Sequence, residues 1–243
     1  GGVVPALDVD VPGERREGGY WGERVYLFGE GAGLHGDFQW LRTPEPERIL
    51  SVGDGGLELI GRESVGSWFE QALVARRQVH FSYDAETVLE YSPQDERQFA
   101  GLVAYYCRYN FFYLAVTADA DGRREISIVR SEASYPEGKL EMATTPEPVR
   151  IPKEGKVRLK LSIRGGLTLQ FWYALEGQEL REIGPVLDAS LLSDECGGHQ
   201  AHGSFTGAFV GMACSDLNGT ALRARFGSFV YRPVRDAADR YEG

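Results

Sequence analysis

The side chains with chemistry to offer gather in one stretch, Leu191 to Gly219, which opens as a polar loop carrying Asp194 and Glu195. Cys196, His199 and His202 follow with Cys-x2-His-x2-His spacing. Three such ligands could hold zinc, but the spacing matches no common structural site and a fourth ligand would have to come from elsewhere. A solvated loop is the simpler reading. Paired-carboxylate hydrolysis of a glycosidic bond needs two carboxyls flanking a pocket, roughly 5–9.5 Å apart. Asp194 and Glu195 are neighbours, so on a strand they would point to opposite faces and make a poor acid/base pair. The stretch then runs Phe205-Thr-Gly-Ala-Phe-Val-Gly-Met-Ala-Cys214, small residues among apolar ones, which reads as a buried strand delivering the loop. In that strand Phe205 and Phe209 could both be packing residues.

Elsewhere the chain shows no GxSxG, phosphate loop, HExxH or CxxC pair. Asp37 and Asp216 are weak candidates for a calcium ion tying the two chain ends of a sandwich by oxygen ligands; no other cofactor is expected. Asn218-Gly-Thr220 is a glycosylation sequon by pattern only. Trp40, Trp68, Trp172 and the loop-borne Phe205 are of the kind that stack on sugar rings, against the plainer alternative of core or rim packing.

These residues need a scaffold, and composition bounds it. The 243 residues suit one all-β domain, and the 42% hydrophobic content can fill a sizeable core. The net charge of −10 argues against nucleic acid or an anionic membrane as partner. No apolar run approaches the roughly 18 residues needed to span a bilayer. The first residues, rich in Gly, Pro and charge, lack the basic start and apolar centre of a signal peptide. The 3 cysteines, Cys107, Cys196 and Cys214, are odd in number and widely spaced, which favours a reducing cytoplasm over a disulfide framework.

Residues 1–24 read as a linker or extended arm carrying Tyr20 and Trp21, residues 25–234 as the folded domain, and residues 235–243 as a tail. An aromatic strand at Asp37–Pro44 is followed by a turn and short strand at Ser51–Gly61, with Leu57 and Leu59 on one face. Ser67–Phe81 fits helix propensity but also alternates; its β neighbours assign it to a strand. Thr87–Tyr91 adds a further short strand. Gln98–Tyr106 and Asn110–Val116 are nearly continuous apolar runs, as expected of central strands covered on both faces. Glu125–Val129 turns Ile126 and Ile128 inward. Val157–Arg164 sets Val157, Leu159, Leu161 and Ile163 on one face and Arg158, Lys160, Ser162 and Arg164 on the other. Gly165-Gly166 then predicts a hairpin into Leu167–Tyr173, and Ala224–Tyr231 forms the last strand. About a dozen short strands with regular turns and no fixed-period repeat predict a two-sheet antiparallel sandwich.

Four segments in order carry a resemblance. They are Phe38-Gln-Trp-Leu-Arg-Thr-Pro44, Ala75-Arg-Arg-Gln78, Ala100-Gly-Leu-Val-Ala-Tyr-Tyr106, and Leu191-Leu-Ser-Asp-Glu195 with Phe205-Thr-Gly-Ala-Phe-Val-Gly211. Together, over roughly Val25 to Val234, they resemble the C-terminal domain of family 43 glycoside hydrolases, the β-xylosidases and related α-L-arabinofuranosidases. The resemblance implies a concanavalin A-like jelly roll that packs on a five-bladed catalytic propeller and acts in the breakdown of xylan and xylo-oligosaccharides. In that family the propeller holds the catalytic carboxylates of an inverting reaction, so this chain alone is expected to carry no catalytic residue. Phe205 is implied as the substrate-pocket wall, with Asp194, Glu195 and Thr206 positioning its loop. The alternative is a free-standing carbohydrate-binding module. A docking domain should expose an apolar patch, a binding module a concave aromatic groove. Association with further copies of the chain is left open.

Overall fold

The computed structural model describes residues 19–29, 33–132, 142–144, 147–197 and 206–235. Among these the strands are, in order, β1 (Arg24–Leu27), β2 (Phe38–Trp40), β3 (Leu50–Gly53), β4 (Gly56–Ile60) and β5 (Ala72–Arg77). Next come β6 (Tyr83–Glu90), β7 (Gln98–Cys107), β8 (Asn110–Ala118), β9 (Arg124–Glu132), β10 (Met142–Thr144) and β11 (Val149–Arg150). Last are β12 (Val157–Arg164), β13 (Thr168–Leu175), β14 (Arg181–Asp188), β15 (Phe209–Asp216) and β16 (Arg223–Pro233).

They form two 8-stranded sheets. Sheet 1 runs β14-β13-β12-β6-β16-β4-β3, with β1 also on β16; sheet 2 runs β10-β9-β8-β7-β15-β5-β2, with β11 also on β9. Every pairing between these strands is antiparallel. Neighbours far apart in sequence, such as β5 and β15 or β6 and β16, make the crossing connections of a jelly roll. The fold is the expected all-β sandwich.

Period-2 alternation decides which side chains fill the space between the sheets. Val157, Leu159, Leu161 and Ile163 of β12 are all at most 1% exposed and share one core cluster with Leu102, Leu114, Ile126, Ile128 and Met212 from sheet 2. The other face of β12 is half-solvated as expected, except that Ser162 is buried beneath Asp84. All of β8 is buried on both faces. Its outer side belongs to a second apolar cluster of Leu73, Val103, Tyr105, Phe111, Tyr113 and Ala213, with Val65 of the Gly61–Gln71 connection packed among them.

That connection corrects the strand expected over Ser67–Phe81. Only Ala72–Arg77 is strand. The Gln71 amide donates to the Val65 and Ser67 carbonyls at 2.6 and 2.7 Å, drawing the preceding residues into a loop folded over sheet 2. The strand expected from Phe205 begins at Phe209. The polar loop at Asp194 is instead a pair of helical turns. A 3-10 turn at Ala189–Leu192 is capped by the Asp188 carboxylate accepting from the Ser190 N–H at 2.9 Å. A single α-helical turn, α1, spans Asp194–Gly197. Strand β14 was not foreseen. It is an edge strand containing Pro185 next to Gly184, whose φ is +74°, and its register against β13 shifts between Leu169 and Phe171.

Candidate functional site

One end of the sandwich collects the termini of β5, β7 and β12 and the starts of β6, β13 and β15. Here a cleft of about 260 Å³ opens on sheet 2, walled by Trp40, Arg42, Arg77, Tyr105, Cys107 and Phe209. Arg77 stands in register with Phe209 across β5 and β15 and lays its guanidinium 4.8 Å from the Phe209 ring centre. The same guanidinium donates to the Thr206 carbonyl. At the end of β7, the Tyr106 hydroxyl donates to Asp194 Oδ1 at 2.6 Å. Residues 194 and 206, which bound the segment expected to carry the pocket residue, are therefore both tied to the ends of sheet 2.

Of the residues expected to serve this loop, Asp194 and Thr206 make these two contacts, and Glu195 is exposed in the same helical turn as Asp194. Phe205, His199 and His202 lie outside the described residues. Cys196 is exposed. Cys107 lines the cleft, and burial pushes its thiol up, so it remains protonated at neutral pH.

The tryptophans are divided between the sheets. Trp40 borders the cleft, 37% exposed, and its indole N–H donates to the Thr43 carbonyl at 3.0 Å. Trp68, 46% exposed, is flanked by the guanidiniums of Arg108 at 4.1 Å and Arg42 at 5.6 Å from its ring centre. Arg42 thus links Trp68 to the cleft. Trp172 lies on β13 in the other sheet, with Lys160 Nζ 5.2 Å from its ring centre. The three do not share a face.

Asp37 accepts from the Tyr26 hydroxyl and has His35 at 3.6 Å and Arg76 at 4.0 Å. Asp216 accepts from Gln98 Nε2, Thr220 Oγ1 and the backbone N–H groups of Leu222 and Asn218, at 2.6–3.2 Å. Desolvation pushes the Asp216 carboxyl up, but these donors outweigh it and hold the group below the ordinary range. Among the described residues no three His, Cys, Asp or Glu side chains are grouped to hold a metal ion. No helix among them is long and apolar enough to cross a membrane.

Several apolar side chains are exposed at this end. Tyr20, Val79, Phe81 and Leu167 are 60, 45, 47 and 65% exposed. Backbone bonds join their turns: Gly166 N–H to the Phe81 carbonyl at 2.7 Å, Ala189 N–H to the Leu167 carbonyl at 2.8 Å, and Gln78 N–H to the Ala208 carbonyl at 2.9 Å. Tyr20 and Trp21 of the arm pack on His80, with ring centres 4.2 and 5.1 Å away. Sequence reasoning missed Arg77, Tyr106 and this apolar rim. The outward parity of Arg77 on β5 was the available signal; the rim is assembled from three separate turns and has no linear one.

Comparison with known proteins matches residues 28–232 to the family described as Beta xylosidase C-terminal Concanavalin A-like domain. The chain is 67% identical over 242 residues to Xylosidase/arabinosidase 43B of Humicola insolens, covering 99% of this chain and 44% of that protein. It is 33% identical over 208 residues to a putative beta-xylosidase of Escherichia coli K12, covering 84% of this chain and 38% of that one. Among solved structures, xylan beta-1,4-xylosidase from Bacillus halodurans C-125 superposes with a TM-score of 0.78 at 32% identity, over 92% of this chain and 41% of that chain. The chain spans less than half the length of the curated relatives it matches.

Proposed function

The chain belongs to the C-terminal concanavalin A-like domains of family 43 β-xylosidases, and from that footing we propose that it is the accessory domain of such an enzyme. In this reading it packs on a catalytic propeller and presents the loop between residues 194 and 206 to the propeller's active site. Phe205 would wall the pocket there, exclude water and favour short xylo-oligosaccharides. The observation that carries the reading is the exposure of Tyr20, Val79, Phe81 and Leu167 at the end where residues 194 and 206 are fastened. Exposed apolar area gathered at one functional end is the mark of a surface covered by a partner. That the relatives are more than twice as long leaves room for a propeller within the same polypeptide.

A free-standing sugar-binding module would gather its aromatics in one groove, whereas Trp172 lies on the sheet opposite Trp40 and Trp68. That division favours the docking role.

The test replaces the matching segment of the Humicola insolens protein with this chain and measures hydrolysis of a chromogenic β-xyloside. Activity in the hybrid, reduced by Phe205→Ala, with none from the chain alone, is the expected result. Turnover by the chain alone would overturn the reading, as would a hybrid whose activity ignores Phe205→Ala.

A further inference from the structure

Three of the four tryptophans have a ring or a cation set against them. Trp21 packs on Tyr20 and His80, Trp68 on Tyr109 and Arg108, and Trp172 beside the Lys160 ammonium. Trp40 has neither among the described residues, is 37% exposed, and borders the cleft on sheet 2. Its indole N–H is taken by the Thr43 carbonyl, which orients the ring and leaves its faces for other contacts. We propose that this cleft binds a pyranose ring of a neutral oligosaccharide, stacked on Trp40 and held through its hydroxyls by Arg42 and Arg77.

The two guanidiniums supply the polar side of the site. Arg42 Nη1 makes two long bonds, 3.3 Å to Gln71 Oε1 and 3.4 Å to the Trp68 carbonyl, and its Nε and Nη2 have no hydrogen-bond partner among the described residues. Arg77 gives Nη1 to the Thr206 carbonyl and likewise leaves Nε and Nη2 unused among them. Neither guanidinium is ion-paired with a described residue, and no carboxylate lines the cleft, in a chain whose net charge is −10. Arg42 also holds its backbone at φ +58°. A residue with a Cβ in that strained region, set on the wall of a cleft, is a pointer to function. Leu73, Ala75 and Tyr105 complete the lining, each at most 3% exposed. A pyranose fits such a lining: its C–H face suits an indole, and its hydroxyl oxygens accept from the planar N–H fork of arginine. The volume of about 260 Å³ lies below that of drug-sized pockets and suits a single ring. A bare carboxylate would satisfy the guanidiniums but make no use of Trp40. An aromatic acid would use both, and is the competing ligand to exclude. The proposal stands on these side chains and not on the docking reading, so either can fail alone.

The test titrates the chain with xylotriose, cellotriose and benzoate and records the four indole N–H resonances by NMR. The expected result is saturable movement of the Trp40 resonance with an oligosaccharide while the other three hold still. Trp40→Ala, followed on the Arg77 backbone amide, should weaken binding at least tenfold, the loss of the stacked ring. Should that variant not fold, Arg42→Gln should weaken binding about threefold. Trp172→Ala, on the other sheet, should leave binding unchanged. No saturable shift with either oligosaccharide up to about 50 mM overturns the proposal. So does saturable binding of benzoate alone, or oligosaccharide binding that Trp40→Ala and Arg42→Gln leave at parent strength.

Discussion

Tyr106→Phe isolates one of the two fastenings of the loop. The ring is 3% exposed and packs in the main core cluster, so removing the hydroxyl leaves the fold's apolar contacts in place. The substitution removes the 2.6 Å bond to Asp194 Oδ1, among the contacts of this hydroxyl. A hydrogen bond to a charged group contributes about 1.5–3 kcal/mol. Asp194 is exposed, however, and water replaces the lost donor, so the cost falls to about 1 kcal/mol. That is about a fivefold rise in opening of the Ala189–Gly197 turns. Hydrogen exchange read by mass spectrometry over this segment should quicken by that factor, while the strands of sheet 2 keep their protection. Asp194→Ala should produce the same acceleration, and the double variant no more than either alone. Accelerations that simply multiply in the double variant would mean the two groups are not bonded in solution, and the account of how the loop is held would fail.

Asp84 is held below the ordinary carboxylate range: burial pushes it up, but Lys160 at 2.9 Å, Ser162 at 2.5 Å and Arg164 at 2.7 Å outweigh that. A lowered folded-state value gives stability that is present above the unfolded pKa of about 3.9 and lost as pH falls through the folded value. Urea midpoints between pH 2 and 6 should therefore fall more steeply in the parent chain than in Asp84→Asn; superimposable acid limbs would contradict this. A Cβ at Gly211 would lie 2.2 Å from the Val74 carbonyl oxygen and 2.4 Å from Ala75 Cα, so Gly211→Ala should cost at least about 2 kcal/mol. An unchanged thermal midpoint would refute that close approach. Phe81→Ser, which removes a ring that is 47% exposed, should lower activity in the hybrid enzyme. Unaltered hybrid kinetics would remove Phe81 from the docking surface.

Local pattern carried the sheets and little of the site. In β12 strict alternation met one buried and one half-solvated face, so period alone gave both the strand and its inward residues. In β8 the unbroken apolar run correctly implied cover on both sides. Ser67–Phe81 misled because its alternation continues past the strand, and only the Gln71 side-chain bonds reveal where the loop ends. The helical turns at Ala189–Leu192 and Asp194–Gly197 are too short to show a period. The fastenings were illegible for another reason: Tyr106 and Asp194 are 88 residues apart, Arg77 and Thr206 129, and no linear spacing encodes such pairs. The cleft likewise exists only once separate strand ends converge.

Among the described residues, strand β14 stands last in the strand order of sheet 1. A bare sheet edge ordinarily offers a row of N–H and C=O groups to any passing strand. Here Pro185 contributes no N–H, the turn of backbone at Gly184 throws the row out of line, and Arg181 and Glu182 place charges along it. Growth of the sheet in the hydrogen-bonding direction therefore stops at β14. A chain this rich in strands can crowd against its own copies without this edge seeding fibrils.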